Sequence, residues 1–149
     1  MRVIAGRLRG RRLRGPRKTE LRPTGDRLKE SLFSILDPDL RGASVLDVFA
    51  GTGAIGIEAV SRGASEVVFI DSGEGACRLV RRNLDLCGIT SGYTLVHDDV
   101  FKALRRLGRE GRRFDVVFLD PPYDWGPCAE LIALVFRLGI AGEGSRVCM

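Results

Sequence analysis

Histidine is almost absent from this chain, and its cysteines never form a Cys-x-x-Cys pair. His97 stands alone, and Cys77, Cys87, Cys128 and Cys148 are widely separated. That spacing offers a zinc ion no ligand set, so no metal is expected and the thiols read as buried and reduced. No apolar run reaches the roughly 20 residues of a membrane span, and the basic N-terminus lacks the apolar stretch of a secretory signal. These absences set the expectation of a cytoplasmic protein with no membrane partner. Internal repeats and low-complexity linkers are missing as well, which leaves a globular domain.

What is present is an uneven distribution of charge. With 149 residues, 44% of them apolar and 29% charged, the chain has the balance of one ordinary globular domain. Residues 1–22 carry nine Lys/Arg against Glu20 alone, while the remainder carries 15 basic and 18 acidic residues. A basic arm on a mildly acidic body points to a polyanion, most simply nucleic acid. A solvated tail or a membrane-surface patch uses the same composition. Within "MRVIAGRLRGRRLRGP", Val3, Ile4, Leu8 and Leu13 are spaced among arginines, with Gly6, Gly10 and Gly15 as turn points. That pattern predicts a small basic hairpin. The chain thus divides into an arm over 1–22 and a main domain over 23–149.

After Pro23, Thr24 or Asp26 can cap a helix over "DRLKESLFSIL", with Leu28, Leu32, Ile35 and Leu36 expected on its buried face. From there strands and helices alternate. "SVLDVFA", "EVVFID", "YTLVHDD", "FDVVFLD" and "SRVCM" read as five strands separated by helical segments. In the helix "GACRLVRRNLDLCG", Ala76, Leu79, Val80 and Leu84 are expected to face inward. Apolar runs that barely alternate mean strands covered on both faces, so the fold class is α/β with a doubly wound, mostly parallel sheet. The sequence stops within the fifth apolar strand, so the sheet is expected to lack its C-terminal strands. A monomer is expected, although an exposed fifth strand could pair with another chain.

The stretch "LDVFAGTGAIG" places Gly51, Gly53 and Gly56 at the spacing G-x-G-x-x-G after the first strand. Ligands of open α/β sheets bind there, at the carboxyl ends of the strands. Asp71 ends the second strand twenty residues beyond Gly51, where it can accept from both hydroxyls of a ribose. A nicotinamide enzyme and an S-adenosylmethionine (SAM) enzyme look alike to this point. Asp47 separates them. A carboxylate four residues before Gly51 would repel a pyrophosphate and suits a cation such as the methionine ammonium, directly or through water. Its plain alternative is a buried cap on the loop's own amides. Asp98 and Asp99, at the end of the third strand, can accept from an adenine amino group.

"LDPPYDW" follows the fourth strand. Two prolines after an acid fix the backbone and remove two donors, so carbonyls face outward in a rigid turn. Asp120 and the Pro121 carbonyl could accept both N–H groups of a planar amine while Tyr123 stacks on its ring. A plain strand-end turn would look the same in isolation, but the glycine loop upstream makes the pair a strong signal.

Together, "MRVIAGRLRGRRL", "LRPTGDRLKESLFSIL", "LDVFAGTGAIGIEAVSRGA" and "FDVVFLDPPY" resemble the RsmD-type 16S rRNA guanine-N2 methyltransferases, in order and over essentially the whole chain. The resemblance implies a Rossmann-like SAM-dependent methyltransferase fold and transfer of a methyl group from SAM to N2 of a guanine. The substrate it implies is small-subunit ribosomal RNA within an assembled RNA–protein particle, with S-adenosylhomocysteine as the other product. On matching positions it implies a cofactor site of Asp47, Phe49, Gly51, Gly53, Asp71, Asp99 and Val100, with Asp99 rather than Asp98 at the acidic position. Asp120, Pro121, Pro122 and Tyr123 would form the catalytic turn. Arg7, Arg9, Arg11, Arg12, Arg22 and Arg27 would meet RNA. Three alternatives stay open: an amino-methyltransferase acting on adenine N6 or a protein glutamine, an RNA-binding module with an inactive SAM pocket, and a nicotinamide oxidoreductase using His97.

Overall fold

The computed structural model describes residues 1–16 and 24–149, with residues 24–26 described by backbone alone. Five strands form one parallel sheet: β1 (Ser44–Val48), β2 (Glu66–Asp71), β3 (Tyr93–His97), β4 (Val116–Leu119) and β5 (Arg146–Cys148). Their order is β3-β2-β1-β4-β5, so the chain builds outward in one direction and then reverses between β1 and β4. That reversal opens a crevice at the carboxyl ends of β1 and β4, the place where such sheets bind ligands. Five helices flank the sheet: α1 (Thr24–Leu40), α2 (Ala54–Ser61), α3 (Glu74–Leu86), α4 (Val100–Arg109) and α5 (Cys128–Arg137).

Period-two alternation along the strands feeds two cores. Val45, Phe69 and Phe118 pack with Phe33 of α1, Ile57 of α2 and Val80 of α3. Leu46, Ile70 and Leu119 pack on the other face with Leu104 of α4 and Leu131 of α5. Adjacent residues of one strand therefore serve opposite layers, and β1, β2 and β4 are fully buried over most of their length.

Two helices are rotated from the expected faces. In α1, Leu28 and Ile35 are 72% and 76% exposed, while Lys29, Phe33, Leu36 and Leu40 are buried. That face buries the larger Phe33 with Leu36 and Leu40, and the ammonium of Lys29 on the same side reaches the Arg2 carbonyl at 2.9 Å and Glu58 at 3.7 Å. In α3, Cys77 and Asn83 join Val80 and Leu84 inside, while Ala76 and Leu79 are only half-buried.

The basic arm is a docked hairpin. Arg2 and Arg12 form an antiparallel bridge, and Val3 exchanges backbone bonds with Arg11 and Gly10. Val3, Leu8 and Leu13 are buried in the same core as α1, α2 and α3. Glu58, fully buried in α2, accepts the Ile4 and Ala5 amides at 2.8 and 3.0 Å and pairs with Arg62 at 2.9 Å. Gly6 crosses the end of α2 so closely that a Cβ there would lie 1.9 Å from the Ser61 carbonyl oxygen. Cys77 and Cys87 are buried, Cys128 and Cys148 are half-buried, and all four are unpaired.

Candidate active site

The glycine loop leaves β1 through a sharp left-handed path: Phe49, Gly51 and Gly53 have φ of 65°, 56° and 76°. A left-handed Phe is uncommon and costs conformational energy, so this loop is held in place by its surroundings. Gly56 sits in the first turn of α2 against β2, where a Cβ would lie 2.2 Å from the Phe69 ring. Its lack of a side chain lets α2 approach the sheet and brings its N-terminus to the crevice.

Asp47 occupies that helix end. It is 1% exposed, and its Oδ2 accepts the Gly56 N–H at 2.9 Å. The side chain therefore braces the loop from within, buried beneath the crevice. It also takes an amide that a pyrophosphate would need at a helix N-terminus. Burial pushes the Asp47 carboxyl up from 3.8 to about 8; the Gly56 hydrogen bond opposes that rise, and the charges of Asp120 and Asp71 add to it. A cation in the crevice would draw it back down.

Asp71 ends β2 half-buried. Its Oδ2 accepts from Gly51 N and its Oδ1 from Gly73 N, both at 2.8 Å. A carboxylate has about four acceptor positions, so two remain for a ligand. At the end of β3, Asp98 and Asp99 spend oxygens on starting α4. Asp99 Oδ1 accepts Lys102 N at 3.0 Å, and Asp98 Oδ1 accepts Asp99 N at 2.9 Å. Val100 follows directly as the first residue of α4, its side chain buried in the core on that face of the sheet. His97 is exposed, with Nε2 3.1 Å from the Ser72 carbonyl.

The Pro-Pro turn lies directly across the crevice. Val48 pairs with Leu119, and Asp120 N donates to the Val48 carbonyl at 3.4 Å, three residues before Gly51. Asp120 is exposed and Pro121 half-buried, while the Pro122 carbonyl accepts Trp125 N at 2.8 Å and closes the turn. Tyr123 is 103% exposed, so it stands clear of the protein surface. Trp125, unassigned by the sequence reading, holds this turn in place. Its ring packs edge-on against Phe49 at 4.9 Å and stacks on Phe101 at 5.8 Å. The only sequence signal for it was its place in "LDPPYDW"; the partners come from other elements.

A third connection ties the arm to this site. Asn83 is fully buried; its Oδ1 accepts Arg14 N at 2.7 Å, and its Nδ2 donates to the carbonyls of Arg14 at 3.0 Å and Thr52 at 2.8 Å. One amide thus links the hairpin to the glycine loop. Arg7, Arg9, Arg11 and Arg12 are exposed along the hairpin and Arg27 is exposed on α1; Arg22 and Pro23 lie outside the described residues.

The family described as Conserved hypothetical protein 95, the RsmD family, matches residues 1–149. The chain belongs to that family. It is 37% identical over 135 residues to the Ribosomal RNA small subunit methyltransferase D of Haemophilus influenzae, covering 91% of this chain and 70% of the relative. Among solved structures, the Escherichia coli protein yhhF superposes with a TM-score of 0.84 at 34% identity, covering 96% of this chain and 76% of that one. SMU.776, a structure complexed with SAH, shares the fold at 20% identity and a TM-score of 0.63, covering 77% of this chain and 34% of that one. The architecture of RsmD-type proteins, a Rossmann-like methyltransferase fold, is therefore that of this chain. Among the described residues, no helix is long and apolar enough to cross a membrane.

Proposed function

We propose that this protein is a SAM-dependent rRNA methyltransferase that modifies the exocyclic N2 of a guanine in small-subunit ribosomal RNA within an assembled particle. The observation that carries the reading is the pairing of two loops across the switch point. The acid-proline-proline-tyrosine turn stands one strand from the glycine loop, with Asp120 open and Tyr123 wholly exposed. The name of the Haemophilus influenzae relative supports the ribosomal substrate.

The residues present fit SAM better than a dinucleotide. Asp71 keeps acceptor positions for ribose hydroxyls, and Asp47, which gives up its proton when a cation settles above it, then supplies negative charge beneath the loop while taking the Gly56 amide. Asp99 has one carboxylate oxygen beyond its helix cap for an adenine amine. When bound, SAM supplies an activated methyl group on a sulfonium. Asp120 and the Pro121 carbonyl accept the two amine hydrogens of a guanine splayed out of its stack, and Tyr123 covers the ring. This points the nitrogen lone pair toward the glycine loop, so positioning supplies much of the catalysis. The proton leaves to Asp120 or to water, and the hairpin arginines hold the RNA by its phosphates.

Transfer of a labelled methyl group to small ribosomal subunits, compared with DNA, tests the reading. Incorporation into the subunit RNA that is lost in Asp120→Ala, with SAM binding kept within a few-fold, is the expected result. Incorporation into DNA alone overturns it.

A further inference from the structure

We propose that the cavity between the hairpin and the first turns of α1 is a second RNA subsite, one that seats a nucleotide of the bound strand by its phosphate. Its volume is about 350 Å³, and Arg2, Ile4, Arg9, Gly10, Arg27 and Glu30 line it. The inference rests on the RNA-substrate reading above. It concerns residues outside both the glycine loop and the Pro-Pro turn.

Three observations carry it. First, three arginines line the cavity against one glutamate, and none of Arg2, Arg9 and Arg27 has an ion-pair partner among the described residues. Unpaired like charges around one concavity repel each other, and a bound anion removes that cost. Guanidiniums suit a phosphate, since each can offer two parallel N–H donors. Second, the volume falls in the range of small-molecule sites and far exceeds what a bare phosphate fills. Ile4, with the planar faces of the arginines, offers sugar and base a surface to lie on.

Third, the walls are preformed. The Arg2 carbonyl accepts from Lys29 at 2.9 Å, the Ile4 amide is held by Glu58 at 2.8 Å, and Gly10 N donates to the Val3 carbonyl at 2.9 Å. The arginine side chains thus rise from a fixed frame, which lowers the entropy lost when they close on a ligand.

The test uses the full chain, a short single-stranded RNA read by fluorescence anisotropy, and the variants R2Q, R9Q and R27Q. R109Q, at the far end of α4, is the control. Each cavity variant should weaken RNA binding roughly three- to ten-fold and reduce the salt slope by about one, with R109Q under about two-fold. In the wild type, RNA should shift the amide resonances of Ile4 and Gly10 by more than inorganic phosphate does at equal phosphate concentration. Cavity variants that behave like R109Q overturn the proposal, as does phosphate alone matching the RNA shifts, which would mark a simple anion site. If methyl transfer occurs while the cavity variants bind RNA normally, this inference alone fails. If they lose RNA affinity while the wild type transfers no methyl group, the subsite stands and the enzymatic reading falls.

Discussion

Asp47→Asn tests the electrostatics of the glycine loop with little change of shape. Asparagine keeps an oxygen able to accept the Gly56 N–H, and it removes a charge that burial, Asp120 and Asp71 all oppose. The sign follows from the folded carboxyl, which titrates at about 8 against 3.8 when unfolded. Between those values the folded chain holds a proton that the unfolded chain has released, so stability falls as pH rises. The loss is negligible below the unfolded value and complete above the folded one. Its slope is about 1.4 kcal/mol per pH unit, or roughly 2–3 kcal/mol between pH 5 and pH 7 from this one group. Urea denaturation of the ligand-free protein across that range measures it. The variant should gain on the wild type steadily as pH rises, and parallel curves would refute the reasoning. The same carboxyl should lose its proton when a cation settles nearby. Calorimetry of SAM binding in two buffers of different ionisation heat should show proton release near pH 7 in the wild type and little in the variant, with wild-type affinity rising toward pH 8.

Three further changes separate structure from chemistry. Tyr123→Ala should leave the urea midpoint unchanged, because the ring is fully exposed, yet cost about 1–3 kcal/mol in RNA substrate binding through lost stacking. Asn83→Ala leaves the part-buried Arg14 amide and Thr52 carbonyl without their partner; a loss of about 1–3 kcal/mol is expected in chemical denaturation, with faster hydrogen exchange at Arg14. Gly56→Val forces side-chain atoms into the Phe69 ring and should unfold α2 from the sheet, seen as a lowered melting temperature together with lost SAM binding.

Much of this architecture is legible in residue order, because β1, β2 and β4 are buried on both faces and are mostly apolar, with Asp47 the one charge inside β1. The glycine spacing and the acid-proline-proline-tyrosine turn are local, so they locate both loops before any coordinate does. What stays hidden depends on contacts between distant segments. Lys29 looks like a solvent residue until Arg2 and Glu58 appear beside it, on the face of α1 that buries Phe33 and leaves Leu28 and Ile35 exposed. Asn83 looks like one polar residue on a polar helix, yet its partner Arg14 lies 69 positions away. Trp125 finds Phe49 only because the sheet order sets β4 beside β1. Asp47 is the intermediate case: its importance is readable from its place before the glycines, whereas its inward bond to Gly56 is not.

Mass spectrometry of nucleosides from small-subunit rRNA treated with SAM and this protein puts the account's main claim under the most direct strain. N2-methylguanosine should appear at a single position with the wild type and vanish with Asp120→Ala. N6-methyladenosine, or no modified nucleoside from a protein that binds both SAM and the RNA, would contradict it.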